Sequence, residues 1–185
     1  MSLNELNPHD LLNDLYVAAC RALLEAYGLT VNVREHGGVV DSRVKVNYIS
    51  VLSANGGGVN LSSMLKIDRD LVIRMHPLNG GDPIAQPDLE DWCMELNNQL
   101  VGRLKNKLIG YGAVVLIGLP LLLTGTDVNS IASPHSEVHQ YSVESADGQI
   151  TLTIATLVDP GVHLEEPDAS LHEENVMDEG MVSLF

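Results

Sequence analysis

Apolar positions along the chain fall into two long stretches of helical period and several short stretches that alternate. Leu89, Cys93, Leu96, Leu100, Leu104 and Leu108 recur at spacings of three or four. At about 100° per residue they share one stripe, which predicts a long amphipathic helix. Asp88 is the expected cap, with Asp91 at the capping-box position. Asp91, Glu95, Asn98 and Gly102 form a second stripe roughly opposite the first. Asn98 lies roughly 150° from the centre of the apolar stripe and Asn97 roughly 50°, so Asn98 should be exposed and Asn97 partly covered. Leu12, Leu15, Ala19, Leu23 and Ala26 mark an earlier helix over 8–27. Asn7 caps it, Pro8 opens it and Gly28 ends it.

Alternation predicts strands elsewhere. The first covers 29–35. In the second, Val44, Val46 and Tyr48 alternate before the apolar phase moves to Ile49 and Val51. That shift implies either a bulge or a strand buried on both faces. Asn55-Gly56-Gly57-Gly58 is a hairpin loop, and Val59, Leu61, Ser63, Leu65 and Ile67 return from it. Asp68 is placed to cap a short helix over 69–76, where a strand would also fit, and 77–87 is a proline-rich loop. The run 113–123 has the composition of a central strand, with Pro120 placing a bulge or an edge near its end. Strands over 137–143 and 149–157 close the domain as a hairpin turned by Ala146-Asp147-Gly148. The fold class is α+β, an antiparallel or mixed sheet packed against long helices. Residues 1–160 form the domain and 161–185 an acidic tail.

Composition narrows the partners. The chain has 185 residues, 45% of them hydrophobic, enough for one domain with a real core. Its net charge of −15 argues against nucleic acid or an anionic membrane surface as the main partner. Cys20 and Cys93 both fall within helices and read as buried free thiols of a reducing compartment. The opening residues lack the pattern of a signal peptide, and the apolar run 113–123 is too short to span a bilayer. A cytoplasmic protein with no membrane partner is expected. The glycine loop carries no phosphate-cradle pattern, because no helix follows it. His135 and His139, the one pair at helical spacing, fall in loop and strand, so no metal site is expected. From Gly161 onward the tail holds seven acidic residues and no Lys or Arg, yet ends on the chain's only phenylalanine, Phe185.

The second stripe of the long helix is either a solvated face or a contact track. Asn98 and Gly102 are poor helix formers, and Gly costs about 1 kcal/mol against Ala in a helix interior. Helix stability did not select them.

The stretch Glu95-Leu96-Asn97-Asn98-Gln99-Leu100-Val101-Gly102, followed by Lys105, Gly112, Ile117-Gly118-Leu119-Pro120 and Gly125, resembles the CheC/CheX family of chemotaxis phosphatases. CheX is the nearer match, since one such helix is visible where CheC carries two. The resemblance covers roughly 8–158; Met94 and Trp92-Cys93 depart from the family pattern. It implies hydrolysis of the aspartyl phosphate of a response-regulator receiver domain. Asn98 matches the residue that orients the attacking water, and Glu95 matches the acid that engages the receiver's lysine. It also implies that Mg2+ belongs to the receiver, that the chain needs no cofactor of its own, and that the protein is a homodimer, with the closing hairpin as an edge that a partner subunit could extend. A CheX-like module that binds or dimerises without catalysis is the alternative, and an unrelated α+β protein with a solvent-facing stripe is the third.

Overall fold

Asn7 opens the first helix, α1 (Pro8–Ala26), with its side chain accepting from the His9 amide at 3.1 Å. The structure is a computed structural model that describes residues 7–30, 32–36, 48–123, 132–145 and 148–164. After α1 come β1 (Asn32–His36), β2 (Tyr48–Gly56), β3 (Val59–Ile67), α2 (Arg69–Met75) and α3 (Gln86–Ile109). The chain then forms β4 (Leu116–Ile117), β5 (Leu121–Leu123), β6 (Glu137–Ser145) and β7 (Gly148–Val158). All strand pairs are antiparallel, in the order β1-β6-β7-β3-β2-β4, with β5 also on β2. The architecture is α+β, as the alternation and the two helical periods predict.

Side-chain alternation divides the sheet into two faces. Tyr48, Leu52 and Ala54 of β2, Leu61, Leu65 and Ile67 of β3, and Ile150, Leu152 and Ile154 of β7 share one core with α1 and α3. Ile49, Val51 and Met64 form a small second cluster with Leu123. The phase shift therefore marks a strand buried on both faces. A bulge over 48–56 is ruled out, because the β2–β3 register runs unbroken from Tyr48↔Ile67 to Gly56↔Val59. The hairpin between them turns on Gly57 and Gly58, with φ of 59° and 76°, which L side chains rarely adopt.

Three expectations are corrected. Ala85, not Asp88, is the N-cap of α3; Asp88 lies in its first turn. Pro87 fits inside that turn because an amide there has no helical acceptor, so the helix begins ahead of the acidic residue. Asp68 does stand at the N-cap of α2, as expected, but its side chain makes no capping bond; its Oδ2 instead accepts from the Gln149 amide at 2.9 Å and ties α2 to β7. The run 113–123 is not a central strand. It reaches β2 only as two short pieces at the sheet's margin, since Pro120 has no amide to donate and the chain is interrupted between them. Gly118 still donates to Ser53 O at 2.8 Å. Finally, among the described residues both outer edges of the closing hairpin are covered along most of their length. β1 pairs along β6 from Asn32↔Glu144 to His36↔Gln140, and β3 pairs along β7. Among the described residues the open margins are β1 and β4–β5.

Both cysteines are free and buried, and burial pushes their thiols up to about 12. No described helix is long and apolar enough to cross a membrane. The Gly37-Gly38 turn, the alternation at Val44 and Val46, Gly125, Ala146-Asp147 and the acidic tail beyond residue 164 lie outside the described residues.

Candidate functional site on the third helix

The stripe that anchors α3 contains one polar residue. Asn97 is 0% exposed among Leu89, Cys93, Leu96, Leu100, Val101, Leu104 and Leu108. Its Oδ1 accepts from Ser63 Oγ at 2.8 Å, and its Nδ2 donates to Ser50 O at 3.1 Å. Ser63 has one hydroxyl proton, given to Asn97, so Tyr16 donates its own across the 2.7 Å contact to Ser63 Oγ. The chain Tyr16–Ser63–Asn97–Ser50 links α1, β3, α3 and β2 inside the core. Burial pushes the Tyr16 phenol well above its usual range, so it stays a donor. Asn97 is thus fully buried where the helical angle suggested partial cover. The sheet's serines supply the polar partners that make such burial tolerable.

The next residue turns the other way. Glu95 and Asn98 are half-exposed on the outer face of α3. They are three apart, and Asn98 Nδ2 lies 3.3 Å from Glu95 Oε2. Gln99 Nε2 reaches Glu95 Oε1 at 3.1 Å. A carboxylate can only accept, so both amides turn their NH2 groups toward it. Asn98 Oδ1 is left pointing away, with no partner among the described residues. Asn98 is thus less exposed than its helical angle predicts. One turn on, a Cβ built at Gly102 would meet nothing within 4 Å. The protein's own packing does not require glycine there; the effect is an open step beside Asn98.

An aromatic shoulder borders this face. Trp92 meets Tyr27 edge-on, with ring centroids 6.1 Å apart and planes at 89°, and meets His76 at 5.4 Å. Tyr27 OH donates to Gln99 Oε1 at 2.9 Å. Partial burial raises the Tyr27 pKa, so the phenol keeps its proton. Periodicity cannot place Tyr27 beside Gln99, which lies 72 positions away. The only sequence signal is Gln99 standing one turn after Glu95 on the same helix.

Other titratable groups lie elsewhere. His139 on β6 is held between Glu35 Oε1 at 2.6 Å and Glu137 Oε1 at 2.9 Å. Burial pulls its pKa down, but the two carboxylates outweigh this and the net shift is upward. Among the described residues no three His, Cys, Asp or Glu side chains are arranged to hold a metal ion. The α3 face itself offers the carboxylates of Glu95 and Asp91, carboxamides and an open step. That set can orient water and meet a cation, but it supplies no nucleophile.

No protein-family model matches this sequence, and no curated protein does. Solved structures do. The chemotaxis protein CheX from Vibrio vulnificus aligns with a TM-score of 0.65 at 15% identity, over 79% of this chain and 99% of that one. CheX from Borrelia burgdorferi, solved in complex with CheY, BeF3 and Mg2+, aligns with a TM-score of 0.59 at 16% identity, over 82% of this chain and 98% of that one. The FliM middle domain from H. pylori aligns with a TM-score of 0.53 at 12% identity, over 84% of this chain and 92% of that one. The chain therefore has the fold of the CheC-like superfamily. Within that class its fold is CheX-like.

Proposed function

We propose that this protein hydrolyses the aspartyl phosphate of a response-regulator receiver domain in chemotaxis or another two-component pathway. The observation that carries the reading is the Glu95–Asn98 pair, which presents an amide oxygen outward beside a fixed carboxylate. An acyl phosphate is already reactive, and positioning plus electrostatics supply most of phosphoryl-transfer catalysis. Asn98 Oδ1 accepts from a water and aims it in line at phosphorus. The second Nδ2 proton of Asn98 is available to a phosphoryl oxygen. The new bond joins water oxygen to phosphorus as the bond to the aspartyl oxygen breaks. The leaving group is a carboxylate with an ordinary pKa near ~3.9, so it departs without a general acid. Glu95 retains acceptor capacity for an ammonium group of the receiver and sets the docking register. Mg2+ on the receiver would offset charge on the phosphoryl oxygens. The fold shared with a CheX that was solved with CheY supports the choice of partner.

The same reading places the protein in the cytoplasm, where receivers work, and assigns it a homodimer. Val114, Leu116, Leu119 and Leu121 are exposed along the β4–β5 margin, Leu119 by 87%. An apolar open margin of this kind suits edge association. It also favours a second reading, a CheX-like module that docks or dimerises without hydrolysis. The test is phosphate release from a receiver phosphorylated with a small-molecule donor, with and without this protein. Faster release that is lost in Asn98→Ala supports hydrolysis. A receiver that binds while its phosphoryl lifetime stays unchanged supports the module.

A further inference from the structure

Glu95 is not oriented by its own helix alone. Its Oε1 accepts from Gln99 Nε2 at 3.1 Å, and Gln99 Oε1 accepts from Tyr27 OH at 2.9 Å. The direction of this chain is fixed at the Glu95 end. The carboxylate requires the Gln99 NH2, which turns the Gln99 oxygen toward Tyr27 and obliges the phenol to donate. The phenol is in turn held by its ring. Tyr27 is the C-cap of α1, and its ring stands edge-on to Trp92, which packs edge-on against His76 beyond α2. Through Gln99, the tyrosine at the end of α1 therefore bears on a single carboxylate oxygen of α3.

We propose that Tyr27 and Gln99 are positioning residues that hold the Glu95 carboxylate at the angle a partner's ammonium group requires. This rests on the docking role given to Glu95 above. A glutamate on a helix surface ordinarily samples several rotamers, and fixing one before the partner arrives removes that ordering cost from association. Gln99 has three rotatable bonds of its own, so it can hold Glu95 only while Tyr27 holds it. Asn98 bonds the other oxygen, Oε2. Loss of the Tyr27 hydroxyl therefore loosens the docking acid more than the water-orienting amide.

Tyr27→Phe keeps the ring and its contact with Trp92 and removes only the hydroxyl. The expected result is a KM for the phosphorylated receiver raised about 3- to 10-fold, the scale of one lost hydrogen bond, with kcat changed less than about 2-fold. In a Glu95→Gln background the same substitution should add almost nothing, because the group it positions has lost its charge. An equal effect in both backgrounds, or a fall in kcat with unchanged KM, overturns the proposal. A second measurement does not depend on the receiver. In NMR spectra of the free protein, Tyr27→Phe should move the Gln99 side-chain amide and the Glu95 carboxyl resonances. An unmoved Glu95 carboxyl overturns the relay whatever the activity. A wild-type protein that neither binds nor dephosphorylates any receiver removes the docking role, while a moved Glu95 carboxyl still upholds the relay itself.

Discussion

Asn97 and Asn98 are adjacent and chemically identical, so exchanging the two truncations tests the reading sharply. Asn97→Ala removes the acceptor of Ser63 Oγ and the donor to Ser50 O in a site with no exposure. A buried polar group left without its partner costs about 1–3 kcal/mol. Here the Ser63 hydroxyl and the Ser50 carbonyl both lose one, and the missing amide leaves a small void. The sum is about 3 kcal/mol, a melting point lower by roughly 6–12 °C in a domain of this size. Asn98→Ala removes one 3.3 Å bond from a half-exposed face. It also replaces a mediocre helix former with the best one. Stability should therefore change by less than about 0.5 kcal/mol. Turnover is where Asn98 counts: losing one oriented polar group lowers kcat on the order of 10²-fold. The assays are a urea or thermal melt of each variant and phosphate release under saturating receiver. If Asn97→Ala leaves the melt unchanged and abolishes turnover, the reasoning is reversed and Asn97 is the working residue.

Glu95→Gln should weaken receiver binding at low salt, and the difference from wild type should shrink as salt screens the charge pair; equal affinities at low salt would count against a docking role. Gly102→Ala should raise the melting point by the equivalent of about 1 kcal/mol, since the new methyl meets nothing in the protein, while weakening the receiver complex. Tighter binding in that variant would argue that nothing approaches the step. His139 has a raised folded pKa from Glu35 and Glu137, with His9 Nδ1 3.5 Å from the other oxygen of Glu137. Its protonated form therefore stabilises the fold fully below the unfolded value of about 6.5, and the gain fades as pH climbs through the folded value. Urea melts of His139→Gln and wild type should differ most at acid pH and converge at alkaline pH; a gap that widens with pH contradicts the pairing. Leu119→Asp should dissociate a dimer formed at the β4–β5 margin, and a wild-type mass in sedimentation already monomeric at tens of micromolar would dispose of that assembly.

Local period carried much of the fold. The stripe from Leu89 to Leu108, the Gly57-Gly58 turn and the start of α1 at Pro8 each depend on residues within a few positions of one another. What failed was decided at a distance. Apolar composition over 113–123 could not reveal that β4 and β5 share the margin of β2, and the closing hairpin looked free because β1, which covers β6, lies more than a hundred residues earlier. The start of α3 is the exception and is local: Pro87 is tolerated in the first turn, so the helix begins ahead of Asp88. At the site, a three-residue spacing was enough to put Glu95 beside Asn98. The depth of Asn97 was not legible, because its partners Ser50 and Ser63 sit 47 and 34 positions away. Nor was the hold of Tyr27 on Gln99, which spans 72 positions.

If the outer face of α3 orients water toward a receiver's acyl phosphate, the protein must shorten the life of that phosphoryl group. The most direct measurement is the lifetime of that phosphoryl group across the host's response regulators, followed by loss of radiolabel or by phosphate release, with wild type and Asn98→Ala in parallel. At least one receiver should have its phosphoryl lifetime shortened by wild type and restored with Asn98→Ala. Lifetimes unchanged by wild type on every receiver, or shortened equally by both proteins, would contradict it.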